Sequence, residues 1–330
     1  MINEIIGAKK IKMRKITFII TLVLAIISCD NKSKVKKAVE VIPVEIKVER
    51  FDKLFFETSP RDLNKLKKTF PYFFPSGNDD SVWLNKIKDP LWRELYTEVQ
   101  KKYSNFEPIH KELETLFKHI KYYFPQTVTP KVITIISEMD YTNKVIYADS
   151  LVIISLELYL GQNHKFYEFP NYLKQNFEQK QILPDVVSSF STRKIPPVSD
   201  KNLLGQMIYF GKQLVLKDLL LPDYNDAEKM GYTPEQVKWC QDNESYMWRY
   251  FIENELLYDN DQKLNNRFIN PAPFSKFYLE IDNESPGRVG AWIGWQIVRS
   301  YMKNNEVPLP ELLKMSPKEI FEKSKYKPKK

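Results

Sequence analysis

The hydropathy pattern of this chain predicts an α+β fold dominated by helices, with a small mixed sheet. Three observations carry that prediction. Short strand-like runs cluster in two places, Val44–Val48 and the stretch from Lys131 to Ile154. Longer stretches carry apolar residues at helical spacing, the clearest being His110–Phe124, Leu203–Leu221 and Gly287–Met302. Prolines follow capping residues at Asp89-Pro90 and Thr233-Pro234, where a helix loses nothing by lacking the N–H.

The chain opens with Lys9, Lys10, Lys12, Arg14 and Lys15, then the apolar run Ile16–Ile27, then Ser28 and Cys29. A basic region, a short apolar region and a small residue describe a secretory signal peptide. The apolar run is well short of the ~20 residues that span a bilayer. A cysteine directly after the small residue is the pattern of a bacterial lipoprotein signal. Cys29 is then the acylated, palmitate-bearing first residue of the mature chain. Met13 offers a second possible start. The expected organisation is a signal over 1–28, a lipid-anchored flexible tether over 29–40 and a single α+β domain over 41–330. Asp30-to-Lys37 is polar and lysine-rich, as a tether requires.

Residues 1–28 hold five basic residues and one acid, so they account for half of the formal net charge of +8. The remainder is nearly balanced, which argues against a nucleic-acid partner. Aromatic residues make up 14% of the chain and predict bulky, ring-rich packing. With Cys29 acylated, Cys240 has no partner and an internal disulfide is excluded. Cys240 lies in the helical run Val237-Lys238-Trp239-Cys240 and reads as a small buried hydrophobe rather than a reactive thiol.

In chain order, Val44–Val48 alternates apolar and charged residues, as a half-buried first strand does. Arg61–Phe70 reads as a helix, followed by the aromatic loop Phe70–Pro75. The Asp89-Pro90 helix carries Leu91, Leu95 and Val99 down one side. His110–Phe124 is amphipathic. Lys131–Ile136, Lys144–Tyr147 and Leu151–Ile154 are strands, with a turn at Asp140–Asn143. Leu156–Leu160 closes at Gly161, and a short helix runs from Pro170 to Phe177. Leu203–Leu221 is long, apolar and stopped by Pro222. The helix begun at Thr233-Pro234 runs on through Trp248 towards Leu257. Ser285-Pro286 opens the last strong helix, and the basic end from Lys325 to Lys330 reads as a solvated terminus.

Metal and nucleophile chemistry find little support. A helical His-Glu-x-x-His places two imidazoles one turn apart with a general base between them. The three histidines here, His110, His119 and His164, include no such pair. Phosphate-binding glycine loops and a Gly-x-Ser-x-Gly elbow are absent as well. No cofactor and no catalytic residue is expected. Glu244 and Arg249 either converge on a cleft or form a helix-surface ion pair worth a few tenths of a kcal/mol. Gly287, Gly290 and Gly294 crowd one helix beside Trp292 and Trp295, although each glycine costs ~1 kcal/mol relative to Ala. Close helix packing explains them. The alternative is a groove lined by Glu244, Arg249, Arg288, Trp292 and Trp295.

Several blocks resemble the GldB family of gliding-motility lipoproteins: the lipoprotein start, Phe51-Asp52-Lys53, Tyr147-Ala148-Asp149, Leu158–Gly161, Trp248–Glu253 and Gly287–Trp295. That family is similar in turn to predicted zinc-dependent proteases with a His-Glu-x-x-His helix. The resemblance implies a zincin-like scaffold, and places residues 204–211 where the motif belongs. Leu204–Gly211 contains no His, Glu or Asp, so no metal ligand carries over and a role for Glu244 as a downstream acidic ligand loses its basis.

The resemblance implies a non-catalytic lipoprotein of the cell envelope, required for gliding and working with other gliding and secretion proteins. It implies membrane attachment through the lipid, with the outer membrane preferred over the inner. Two alternatives stand beside it. One is a degenerate metallopeptidase-like hydrolase relying on residues such as Glu244. The other is an envelope binding module for glycan or peptide that uses exposed rings of Tyr72, Phe73, Phe74, Trp292 and Trp295.

Overall fold

The computed structural model describes residues 34–329, apart from 199 and 281. Cys29 and the apolar run before it lie outside the described residues.

The sheet has four strands: β1 (Val48–Arg50), β2 (Lys131–Ile135), β3 (Val145–Ala148) and β4 (Leu151–Ser155). Their order is β1-β2-β4-β3, with β1, β2 and β4 parallel and β3 antiparallel to β4. Val132 stands beside Val152 in the central pair. The small mixed sheet is as expected, but its first strand starts later. Val44–Val48 alternates correctly for a strand, yet Ile46 enters the core before pairing begins, and only Val48–Arg50 joins the ladder. Part of the segment expected to be a flexible tether is ordered. Residues 34–40 are helical (α1) and Val39 is 3% exposed.

Because strand side chains alternate, the sheet divides two cores. On one face, Ile133 meets α2 (Phe51–Phe56), α3 (Leu63–Thr69), α4 (Asp80–Lys88) and α5 (Pro90–Lys102) in an aromatic cluster. Phe51 touches Phe55, Phe70, Phe73 and Phe74 there. Asp89 caps α5 by accepting from the N–H groups of Leu91 and Trp92. Leu91 itself is 63% exposed, so the apolar side of α5 begins at Leu95.

The other face carries the larger core. It holds α6 (Glu107–Tyr123), α8 (Ile182–Lys194) and α9 (Leu203–Leu220), while the short α7 (Asn171–Lys174) buries no residue. Next come α10 (Asp226–Met230), α11 (Pro234–Asp242), α12 (Glu244–Glu253) and α13 (Lys263–Phe268). The chain ends in α14 (Val289–Asn304), α15 (Leu309–Lys314) and α16 (Pro317–Ser324). The single helix expected from Thr233 to Leu257 is two, because Asn243 turns out of helical geometry and its side-chain amide donates to Trp239 O at 2.9 Å. None of the described helices is long and apolar enough to cross a membrane.

α9 and α14 form the centre of this core. A Cβ on Gly294 would stand 1.8 Å from Met207 O, and one on Gly211 would stand 2.3 Å from Gly294 O. The two backbones touch there, and only glycine permits that. Gly290 is held in the same way against Phe268 O at 2.9 Å. The glycines of the last helix are packing residues.

Candidate functional site

Of the five residues expected to line a groove, Glu244, Trp292 and Trp295 are buried, Arg288 is half-buried and Arg249 is exposed. Trp292 and Trp295 are 2% and 0% exposed, with their rings edge to face at 5.6 Å. Arg249 lies on the exposed face of α12 with its guanidinium 5.3 Å from the Tyr246 ring. It forms no ion pair with Glu244. Glu244 is 2% exposed, and its Oε1 accepts from the Tyr326 hydroxyl at 2.9 Å and the Lys329 N–H at 3.2 Å. The chain end is therefore docked rather than solvated, with Tyr326 also edge-on to Trp248 at 5.2 Å. Of the five rings proposed to contact a glycan or peptide, only Tyr72 is largely exposed, at 49%.

The histidines sit apart. His110 Nε2 faces Ile46 O at 3.0 Å, His119 Nδ1 faces Thr115 O at 2.9 Å, and His164 lies 3.4 Å from Glu98. Cys240 is fully buried, and burial pushes its thiol pKa up. Among the described residues, no group of three or more His, Cys, Asp and Glu side chains is placed to hold a metal ion.

Residues 204–211 form the first half of α9. Met207 and Gly211 face α14, while Gly205 and Tyr209 line a cavity of about 240 Å³ together with Lys212. Pro196, Pro197 and the turn from Leu313 to Pro317 close the other side. The Lys212 ammonium donates to Leu313 O at 2.9 Å and Met315 O at 2.7 Å, at the C-terminal end of α15. A cation belongs at that end of a helix, where the carbonyls are unpaired. Burial lowers its pKa to about 8, so it stays largely charged at neutrality. A fixed positive charge on this face opposes a divalent cation.

The strongest polar centre joins α9, α10 and α14. Asp218 accepts from Trp295 Nε1 at 2.8 Å, from Arg299 Nε at 2.8 Å and from Arg299 Nη2 at 2.7 Å. Lys229 adds a contact at 3.2 Å. Arg299 also forks onto Asp226 at 2.9 and 2.8 Å, and lies 3.6 Å from the Trp295 ring centre. Burial disfavours the charged guanidinium, but its hydrogen bonds to Asp226 and Asp218 outweigh this and raise its pKa. For Asp226, burial is likewise overcome by Arg299 and the carboxyl pKa is lowered. Every charge in this network has a partner, so it welds helices together and leaves no group poised to react. One local signal points to it: Lys217-Asp218 puts two adjacent charges inside a largely apolar helix.

A second buried carboxyl stands alone. Glu157 is 0% exposed, and its Oε1 accepts from the Ser137 N–H at 3.0 Å and the Ser137 hydroxyl at 2.5 Å. Its Oε2 has no partner. Burial raises its pKa to about 7 despite the Ser137 bonds.

These features define an α+β protein whose interior charges bind its own helices to one another. The family model described as gliding motility protein GldB matches residues 32–328, and the chain belongs to that family. Comparison with curated proteins finds no match, and comparison with solved structures finds none.

Proposed function

We propose that this protein is a non-catalytic lipoprotein of the cell envelope that supports the gliding machinery from a lipid anchor at Cys29. The family assignment supplies the link to gliding and to lipoproteins. One observation carries the non-catalytic part. Where a two-histidine metallopeptidase needs ligands, α9 presents Gly205, Tyr209 and a lysine committed to the end of α15. The opposite face of the same segment is sealed by backbone contact with α14. In this reading the surface, not a cleft, does the work, alongside other envelope proteins of the gliding and secretion apparatus. The anchor is expected in the outer membrane.

The test pairs a clean deletion with elemental analysis of the purified protein. The reading expects loss of cell spreading and no stoichiometric zinc. Normal spreading of the deletion strain removes the role in gliding, and one equivalent of zinc revives the hydrolase.

A further inference from the structure

Two cations in the larger core have no counter-charge. Lys217, on α9, is 7% exposed, and its ammonium makes one hydrogen bond, to Lys229 O at 2.9 Å. Arg288, just before α14, is half-buried and makes one, from Nη1 to Met230 O at 3.0 Å. They therefore hold consecutive carbonyls of one turn and stand close together. Neither makes an ion pair among the described residues. The remaining donors of the guanidinium fork, four N–H groups, are unused.

The surroundings bring no net negative charge. Lys144 and Asp185 form a pair at 2.5 Å, and the Tyr159 hydroxyl donates to Asp185 Oδ2 at 2.9 Å. Asp185 is the acid within electrostatic reach of both Lys217 and Arg288, but it is already neutralised by Lys144. Lys217 and Arg288 are thus left without a neutralising acid, and because burial lowers the Lys217 pKa to about 7, an anion bound beside it would restore the ammonium's full charge. The cluster is not sealed: the Asp185 side chain is 22% exposed and that of Lys144 is 14%. Arg288 is held in place by a backbone with φ 69°, a conformation that side chains other than glycine rarely adopt.

Buried charges are ordinarily paired, because burial without a partner costs several kcal/mol. We propose that this cluster binds a phosphate group, carried by inorganic phosphate or a phosphate monoester, between Lys217 and Arg288. A dianion matches Arg288 together with a protonated Lys217, and a guanidinium fork matches two phosphate oxygens. A carboxylate supplies half the charge.

The test is titration calorimetry on the full chain in detergent, at constant ionic strength, with inorganic phosphate, glycerol 3-phosphate and acetate. Saturable phosphate binding, at least tenfold tighter than acetate, is expected. Tighter binding of glycerol 3-phosphate would identify a monoester as the natural source, and tighter inorganic phosphate the free ion. Lys217→Met and Arg288→Gln should each weaken binding at least tenfold, while Arg249→Gln, at the surface, should leave it unchanged. Absence of saturable phosphate binding in the unaltered chain overturns the proposal, whatever the variants do. So does equal affinity for acetate, or wild-type affinity in a folded Lys217→Met chain.

Discussion

Gly294 and Met207 meet backbone to backbone, so closely that a methyl group at 294 would stand 1.8 Å from the Met207 carbonyl oxygen. Neither partner can swing aside, because both atoms belong to main chain in the middle of helices. Gly294→Ala must therefore push α9 and α14 apart. Overpacking of a core costs about 1–3 kcal/mol where side chains can adjust. Here the cost should reach at least ~3 kcal/mol, read as a lower urea midpoint at unchanged slope.

Arg299→Met should destabilise by roughly 2–3 kcal/mol. It leaves Asp218 and Asp226 with Lys229 and, for Asp226, Lys329 as the nearby cations, and removing one member of a buried pair costs about 3–5 kcal/mol before partial solvent exposure is allowed for. Asp218→Asn is the milder change, since the amide oxygen still accepts from Trp295. Denaturation of both variants measures the difference.

Stability should vary with pH in two opposed windows. Glu157 has its pKa raised from 4.5 to about 7, so the folded chain holds a proton that the unfolded chain releases. Its contribution is full below pH 4.5 and is lost as pH rises to 7. The shift corresponds to roughly 3 kcal/mol. Lys217 has its pKa lowered from 10.5 to about 7 by burial, with Asp185, Arg288 and Lys144 as its charged neighbours. There the unfolded chain holds the extra proton, so stability rises from pH 7 towards 10.5. Glu157→Gln should flatten the first slope and Lys217→Met the second, both followed by thermal unfolding across pH.

Tyr326→Phe should cost about 1–2 kcal/mol. It removes a hydrogen bond to Glu244, whose Oε2 is already buried without a partner. Limited proteolysis should then cut the chain after Ser324 faster than in the unaltered protein.

Much of this architecture could be read from spacing. The caps at Asp89 and Thr233, the strands β2 to β4 and the glycine helix all follow from local chemistry. β1 was less legible because Ile46 alternates like a strand residue yet enters the core unpaired. α8 gave little signal, with Pro184 near its start and Ser188, Ser189 and Ser191 within it. Ser188 and Ser191 in fact donate back to Pro184 O and Ser188 O, so polar residues sit in a buried helix at little cost. The docked chain end looked solvated because Lys325, Lys327 and Lys329 dominate its composition, while the contact is carried by the Tyr326 side chain and the Lys329 backbone N–H. The weld between Asp218 and Arg299 joins residues 81 apart, and long-range pairing of that kind leaves no periodic trace.

The central claim is an anchored, non-catalytic role in gliding, and the width of the spreading zone in a complemented deletion strain tests it most directly. The unaltered chain and Glu244→Gln, at matched protein levels, should both restore spreading, whereas Cys29→Ala should restore little. Full rescue by Cys29→Ala, or loss of spreading with a stably folded Glu244→Gln chain, would contradict it.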